Sequence, residues 1–282
     1  MEISGTTRIL GIIGDPVAHS RSPLMQNRAL AAMGLDYVYV PFRVAPERLA
    51  EAVAGLRAAG VKGFNVTVPH KVAVVPFLDG LSPEAEQIGA VNTVHNVDGR
   101  LVGYNTDGTG LVRSLREDLD FDPSGTAIIV LGAGGAAWAA VHAFCTAGAD
   151  RIVVVNRTMA TANALVETYG KLFPGVRLVA REVVPATLAD MDILINTTSV
   201  GMDGVSLAAY PATLGEDSVV YDMIYAPPET PLLAAARRCG LRCVNGLGML
   251  AAQGEVAFTI WTGMVPPSGL MKAVLGEQSS EL

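Results

Sequence analysis

A chain of 282 residues is long enough for two domains, each with its own core. The formal net charge of −7, with no clustered basic run, argues against a nucleic-acid partner, because phosphate backbones are held by grouped Lys and Arg. The 3 cysteines, Cys145, Cys239 and Cys243, are an odd number and too few for a disulfide scaffold, and they read as buried thiols in a reducing compartment.

In chain order, Ile9 to Ile13 is a short apolar strand. Ser20-Arg21-Ser22-Pro23 then opens a helix, with Ser22 suited to the N-cap and Pro23 to the first helical position, and Met33-Gly34 closes it. Tyr37 to Phe42 alternates as a strand, Pro46 to Ala59 is helical with Gly60 as its stop, and Gly63 to Val68 is the next strand. Val91 to Val97 and Leu101 to Tyr104 flank Asp98-Gly99, a strong hairpin signal, so this half is α/β with a mixed sheet. A helix from Asp107 to Leu119 leads into Phe121 to Gly125, where turn formers collect between two periodic regions.

Strands near Ala127 to Leu131, Arg151 to Val155, Val176 to Val179, Asp192 to Ile195, Ser218 to Tyr221 and Arg242 to Val244 then alternate with helical segments. This rhythm predicts a Rossmann-like doubly wound parallel sheet. The last helices, around Gly248 to Trp261 and Pro267 to Leu275, have no strand left to return to and are expected to pack back on the first domain. The uncharged stretch Thr126 to Ala149 has the length of a membrane span. Its early glycines make it strand, turn and buried helix instead, and no membrane partner is expected. The N-terminus shows no secretory signal pattern, so a cytoplasmic location is expected.

Two motifs carry chemistry. The strand Ile128 to Leu131 runs into Gly132-Ala133-Gly134-Gly135-Ala136-Ala137, which fits the dinucleotide fingerprint G-x-G-x-x-G/A. At the end of the following strand an NAD-binding fold usually has an acid. Here Asn156-Arg157-Thr158 stands instead, and Arg157 suits a 2′-phosphate, which favours NADP(H). Upstream, Asn65-Val66-Thr67-Val68-Pro69-His70-Lys71 and Asn105-Thr106-Asp107-Gly108 supply a lysine and an aspartate. A lysine held near a developing alkoxide can donate a proton to it, which is the chemistry of a carbonyl reductase. No histidine has zinc-type spacing with the cysteines, so no metal is expected.

Taken together, these motifs resemble the shikimate dehydrogenase family: Ser20-x-Ser22-Pro23 after Gly14-Asp15-Pro16, the Asn65 to Lys71 run, Gly89-Ala90-Val91-Asn92-Thr93, Asn105-Thr106-Asp107-Gly108, the glycine turn, Asn156-Arg157-Thr158, Tyr221-Asp222-Met223-x-Tyr225, and Gly246 to Gln253. They follow the family's order over nearly the whole chain. The resemblance implies NADPH-dependent reduction of 3-dehydroshikimate to shikimate by a monomer or homodimer. It implies a substrate domain of residues 1–107 plus 246–282 and an NADP-binding domain of 108–245. Lys71 and Asp107 would be the catalytic pair. Ser20, Ser22, Asn65, Thr67, Lys71, Asn92, Asp107, Tyr225 and Gln253 would bind substrate. Gly132, Ala133, Gly134, Gly135, Ala136, Asn156, Arg157, Thr158, Thr161, Met223 and Gly246 would bind the cofactor.

The family often has arginine where this chain has Trp138 and Thr161, which weakens discrimination against NAD. The alternatives are a quinate/shikimate dehydrogenase of broader range and a catalytically silent NADP(H)-binding regulator. The regulator would be signalled by loss of Lys71 or Asp107.

Overall fold

The computed structural model describes residues 2–182, 188–200 and 207–277. The chain divides into two compact units, one of Met1–Gly110 with Leu250–Leu282 and one of Leu111–Met249.

The first unit contains β1 (Arg8–Gly14), α1 (Ser22–Ala32), β2 (Tyr37–Arg43), α2 (Leu49–Ala58), β3 (Gly63–Val66), β4 (Gly80–Leu81), α3 (Pro83–Ile88), β5 (Thr93–Val97) and β6 (Arg100–Tyr104). Its sheet has the order β2-β1-β3-β5-β6-β4. β1 runs parallel to β2 and β3, and β5 runs antiparallel to β3 and β6, so the sheet is mixed as expected. β3 is buried at every position because it is central. Phe64, Val66 and Val94 pack there with Ile13, Leu101 and Val53 of α2. The hairpin between β5 and β6 turns through Asp98 (φ 51°) and Gly99 (φ 91°), the doubly left-handed turn that the dipeptide predicts.

The predicted strand Gly63 to Val68 stops at Val66, although the Thr67 N–H still donates to the Ile13 carbonyl at 3.0 Å. The two-residue strand β4 and the helix α3 are not visible in the sequence pattern. Local chemistry starts α3, with the Ser82 hydroxyl accepting from the Ala85 N–H at 3.2 Å.

One capping expectation is corrected. The N-cap of α1 is Arg21, with no side-chain cap, and Ser22 is already the first helical residue. The capping task falls to Ser20, whose Oγ accepts the Ser22 N–H at 3.3 Å, and the Ser22 hydroxyl is free to turn inward.

The second unit takes in most of α4 (Asp107–Leu119) and then β7 (Ala127–Leu131), α5 (Gly135–Thr146), β8 (Arg151–Val155), α6 (Met159–Leu172), β9 (Arg177–Arg181), β10 (Ile193–Asn196), β11 (Val219–Asp222), α7 (Pro231–Arg238) and β12 (Arg242–Asn245). All neighbours in the order β12-β11-β10-β7-β8-β9 are parallel. The strands are apolar without alternation because both faces are covered. Ile128, Val130, Ile152 and Val154 pack with α5 and α6, while Ile129, Leu131, Val153 and Val155 pack with Leu232 and Leu233 of α7. β7 and β10 lie side by side although they are not consecutive. That is the switch point beyond whose carboxyl ends such sheets bind ligands.

The helices α8 (Leu247–Thr262) and α9 (Leu270–Glu277) return to the first unit, as expected. Trp261 Nε1 donates to the Val94 carbonyl at 2.9 Å, Gln26 Nε2 donates to the Gly254 carbonyl at 2.9 Å, and α9 packs on α1. A Cβ on Gly63 would collide with the Trp261 ring, so close helix–sheet approach requires glycine there. The expectation of buried thiols holds for Cys145, whose pKa burial pushes up to about 12, but not for Cys239, which is exposed just past α7. Among the described residues no helix is long and apolar enough to cross a membrane.

Candidate active site

In the first unit, the two motifs singled out in the sequence meet. Lys71 follows β3 after a short turn, and Asp107 is the first residue of α4. Lys71 Nζ donates to Asp107 Oδ2 at 2.6 Å, with the lysine side chain 29% exposed and the aspartate 10%. The other carboxylate oxygen accepts from Asn92 Nδ2 at 2.8 Å. Asn105 Oδ1 accepts the Asp107 N–H at 3.1 Å, so the residue before the pair in the motif fixes the backbone that carries the carboxylate. The helix N-terminus also favours a negative group at that position.

Asn92 is fully engaged. Its amide protons go to Thr106 Oγ1 and Asp107 Oδ1, and its oxygen accepts from the Thr106 N–H at 2.9 Å and from Thr93 Oγ1 at 3.0 Å. Asn65, 4% exposed, donates to the Asn92 carbonyl and Thr93 Oγ1 and accepts from the Tyr39 phenol at 2.7 Å. Such a network is stable only if every member is satisfied. His70, the spacer before Lys71, is buried with its ring nitrogen 2.7 Å from the Val44 carbonyl. Thr67 is half-buried, and the Ser20 hydroxyl oxygen accepts the Ser22 N–H. Gln253 lies on α8 with Nε2 donating to the Leu250 carbonyl at 2.7 Å.

In the second unit, the glycine turn shows the three roles its spacing predicts. Gly132 has φ 109°, and a Cβ there would stand 2.7 Å from Thr197 Oγ1. Gly134 is the N-cap of α5 with no side-chain cap, and a Cβ on Gly134 or Gly135 would meet nothing within 4 Å. Exposed N–H groups at a helix N-terminus under open space form an anion cradle. Ala133 and Ala137 are buried against the sheet, and Ala136 is half-buried.

The loop after β8 is closed on itself. Asn156 Nδ2 donates to the Thr158 carbonyl at 3.0 Å and to Thr161 Oγ1 at 2.7 Å, and Thr161 Oγ1 donates to the same carbonyl at 2.8 Å. Arg157 is exposed and has no ion pair among the described residues. Beyond β11, Asp222 is fully buried and accepts from Asn196, Thr230 and the Ile224 N–H. Burial pushes its carboxyl above the usual range and these hydrogen bonds oppose that. It fixes the segment that carries Met223 and the half-buried Tyr225. Gly246 sits against the Met223 backbone so closely that any Cβ would collide with the Met223 carbonyl. Among the described residues no three His, Cys, Asp or Glu side chains gather to hold a metal ion.

Three family models match this chain: the shikimate dehydrogenase substrate binding domain over residues 12–94, shikimate/quinate 5-dehydrogenase over 115–203, and the shikimate 5′-dehydrogenase C-terminal domain over 246–275. The shikimate dehydrogenase (NADP(+)) of Geobacter metallireducens is 56% identical over 277 residues, covering 96% of this chain and 97% of that protein. The chain belongs to the shikimate dehydrogenase family.

Among solved structures, shikimate 5-dehydrogenase from Listeria monocytogenes in complex with shikimate and NAD superposes with a TM-score of 0.91 at 38% identity, covering 98% of each chain. The ligand-free 5-ketofructose reductase of Gluconobacter sp. strain CHM43 superposes with a TM-score of 0.89 at 35% identity, covering 98% of this chain and all of that one. Shape alone therefore does not choose the substrate in this family; the side chains must.

The glycine turn and the free guanidinium of Arg157 fit a dinucleotide with a 2′-phosphate, and the two family departures have local explanations. Trp138 packs edge-on against Tyr169, with ring centroids 5.3 Å apart, and its carbonyl accepts from the Tyr169 hydroxyl at 3.1 Å, tying α5 to α6. Thr161 closes the loop that presents Arg157. Sequence reasoning did not find Tyr39, Thr93 or Thr106, which complete the network around Asn65 and Asn92. The available signal was indirect: a tyrosine at an inward position of an alternating strand needs a buried partner for its hydroxyl.

With Arg157 as the sole cation on its loop, Arg157→Ala is expected to weaken NADP⁺ binding about tenfold to a hundredfold, the worth of one charge-assisted hydrogen bond. NAD⁺ binding should be unchanged. Titration calorimetry with both cofactors checks it, and an equal loss for both would show that Arg157 does not read the 2′-phosphate.

Proposed function

We propose that this chain catalyses the reversible NADPH-dependent reduction of 3-dehydroshikimate to shikimate in the route to chorismate and the aromatic amino acids. The observation that carries the reading is the Lys71–Asp107 pair at 2.6 Å, buttressed by Asn92, in a chain of this family. A silent regulator would have no use for that arrangement. NADPH, when bound, supplies the hydride. Negative charge then builds on the substrate oxygen, and Lys71 stabilises it and delivers a proton. Asp107 holds Lys71 in place and accepts from a neighbouring ring hydroxyl. The hydroxyls of Ser20 and Ser22 receive the carboxylate near the α1 N-terminus. Thr67, Asn65, Tyr225 and Gln253 discriminate the hydroxyl pattern, since a site built on hydrogen bonds rejects analogues that lack them, and Asn92, whose donors and acceptor are already taken, serves by holding Asp107.

In this reading, residues 1–107 with 246–282 form the substrate domain and residues 108–245 the NADP-binding domain. Gly132 to Ala136, Asn156 to Thr158, Thr161, Met223 and Gly246 hold the cofactor. Asn156 and Thr161 act by shaping the loop, because the protons they could donate are already used within it. The enzyme works in the cytoplasm as a monomer or homodimer, with no nucleic-acid or membrane partner.

The test is steady-state oxidation of shikimate and of quinate with NADP⁺ and with NAD⁺. A kcat/KM for shikimate with NADP⁺ far above the other three pairings supports the proposal. Comparable quinate or NAD⁺ turnover would move the chain to the broader relatives, and no turnover in any pairing would favour the silent regulator.

A further inference from the structure

Tyr39 belongs to none of the sequence motifs, yet it is firmly held beside them. Its backbone is pinned on both sides by one residue, Asn27, whose Oδ1 accepts the Tyr39 N–H at 2.9 Å and whose Nδ2 donates to the Tyr39 carbonyl at 2.8 Å. The ring leans on Trp261 with centroids 6.0 Å apart, and the residue is 1% exposed. Burial pushes the phenol well above its ordinary pKa, so it remains a donor.

Counting protons settles what that donor does. Asn65 Nδ2 gives one proton to the Asn92 carbonyl at 3.1 Å and the other to Thr93 Oγ1 at 3.0 Å. A backbone carbonyl only accepts, so the nitrogen end of the Asn65 amide must face Asn92. The Tyr39 hydroxyl donates its single proton to Asn65 Oδ1 at 2.7 Å and holds the oxygen end. Asn65 then has no proton left for a ligand and one free lone pair on Oδ1.

We infer that Tyr39 is a positioning residue for substrate recognition: it fixes the Asn65 carboxamide so that Asn65 accepts from a ring hydroxyl and cannot donate to it. The inference rests on the reading of Asn65 as a substrate ligand given above.

Tyr39→Phe removes one oxygen and keeps the ring against Trp261. It is expected to raise the KM for shikimate about tenfold, the loss of roughly one well-oriented hydrogen bond. The KM for NADP⁺ should stay close to wild type. In an Asn65→Ser background, where there is no amide to orient, the same substitution should add less than about a twofold change, the non-additivity expected of residues acting through one another. Three results would overturn the inference: an unmoved shikimate KM, a parallel rise in the NADP⁺ KM, or full additivity with Asn65→Ser. Wild-type protein that does not oxidise shikimate would instead remove the functional reading, and this inference with it.

Discussion

Lys71→Ala is expected to lower kcat for 3-dehydroshikimate reduction by about a thousandfold, within the range of general acid–base contributions, with a change in KM of only a few-fold. The asymmetry follows from the geometry. An ammonium has three protons, and Asp107 takes one at 2.6 Å, leaving two for a substrate oxygen. In the ground state that oxygen is a neutral carbonyl and the lysine adds little binding. In the transition state it carries developing charge, and the same contact becomes worth several times more. Steady-state kinetics with 3-dehydroshikimate checks it. Near-native kcat in the variant would show that another group supplies the proton.

The second large effect is expected of Asp107→Asn. Both oxygens of this carboxylate face donors, Lys71 Nζ on one side and Asn92 Nδ2 at 2.8 Å on the other. An amide is nearly the same size but has only one acceptor end, so one of the two contacts becomes donor against donor. Either Lys71 loses its anchor or Asn92 is left with a buried unpaired proton, at about 1–3 kcal/mol. A fall in kcat of about a hundredfold is expected, together with a rise in KM for shikimate, because Asp107 also meets a ring hydroxyl in the proposed site. Lys71→Ala combined with Asp107→Asn should be little worse than Lys71→Ala alone, since the two act as a unit. Multiplying losses would show that they act separately.

The parts of the fold that could be read from the sequence are those fixed by local chemistry. Asp98-Gly99 can adopt the doubly left-handed turn and few other dipeptides do, so the hairpin was legible. The apolar runs of the parallel sheet and the glycine turn were legible because strand burial and anion cradling each demand a narrow set of residues at fixed spacing. Lys71 and Asp107 could be named from their motifs, but their pairing is a tertiary fact across 36 positions of sequence.

What was not legible depended on partners from elsewhere in the chain. Ser22 reads as an N-cap by its proline neighbour, but Ser20 takes that task by accepting the Ser22 N–H. The strand through Asn65 reads two residues too long because Thr67 and Val68 are good strand formers, and both keep a bond to the β1 segment: the Thr67 N–H donates to the Ile13 carbonyl and the Val68 carbonyl accepts from the Asp15 N–H. In the sequence Tyr39 is one more residue of an alternating strand, and only the fold brings its hydroxyl to Asn65 Oδ1.

The most direct measurement is the stoichiometry of the reduction itself: purified enzyme, NADPH and 3-dehydroshikimate, with NADPH followed by absorbance and the product identified by chromatography. One shikimate formed per NADPH consumed, in reactions from which Lys71→Ala removes nearly all turnover, is the predicted result. NADPH left unconsumed, or consumed without shikimate appearing, would contradict the assignment.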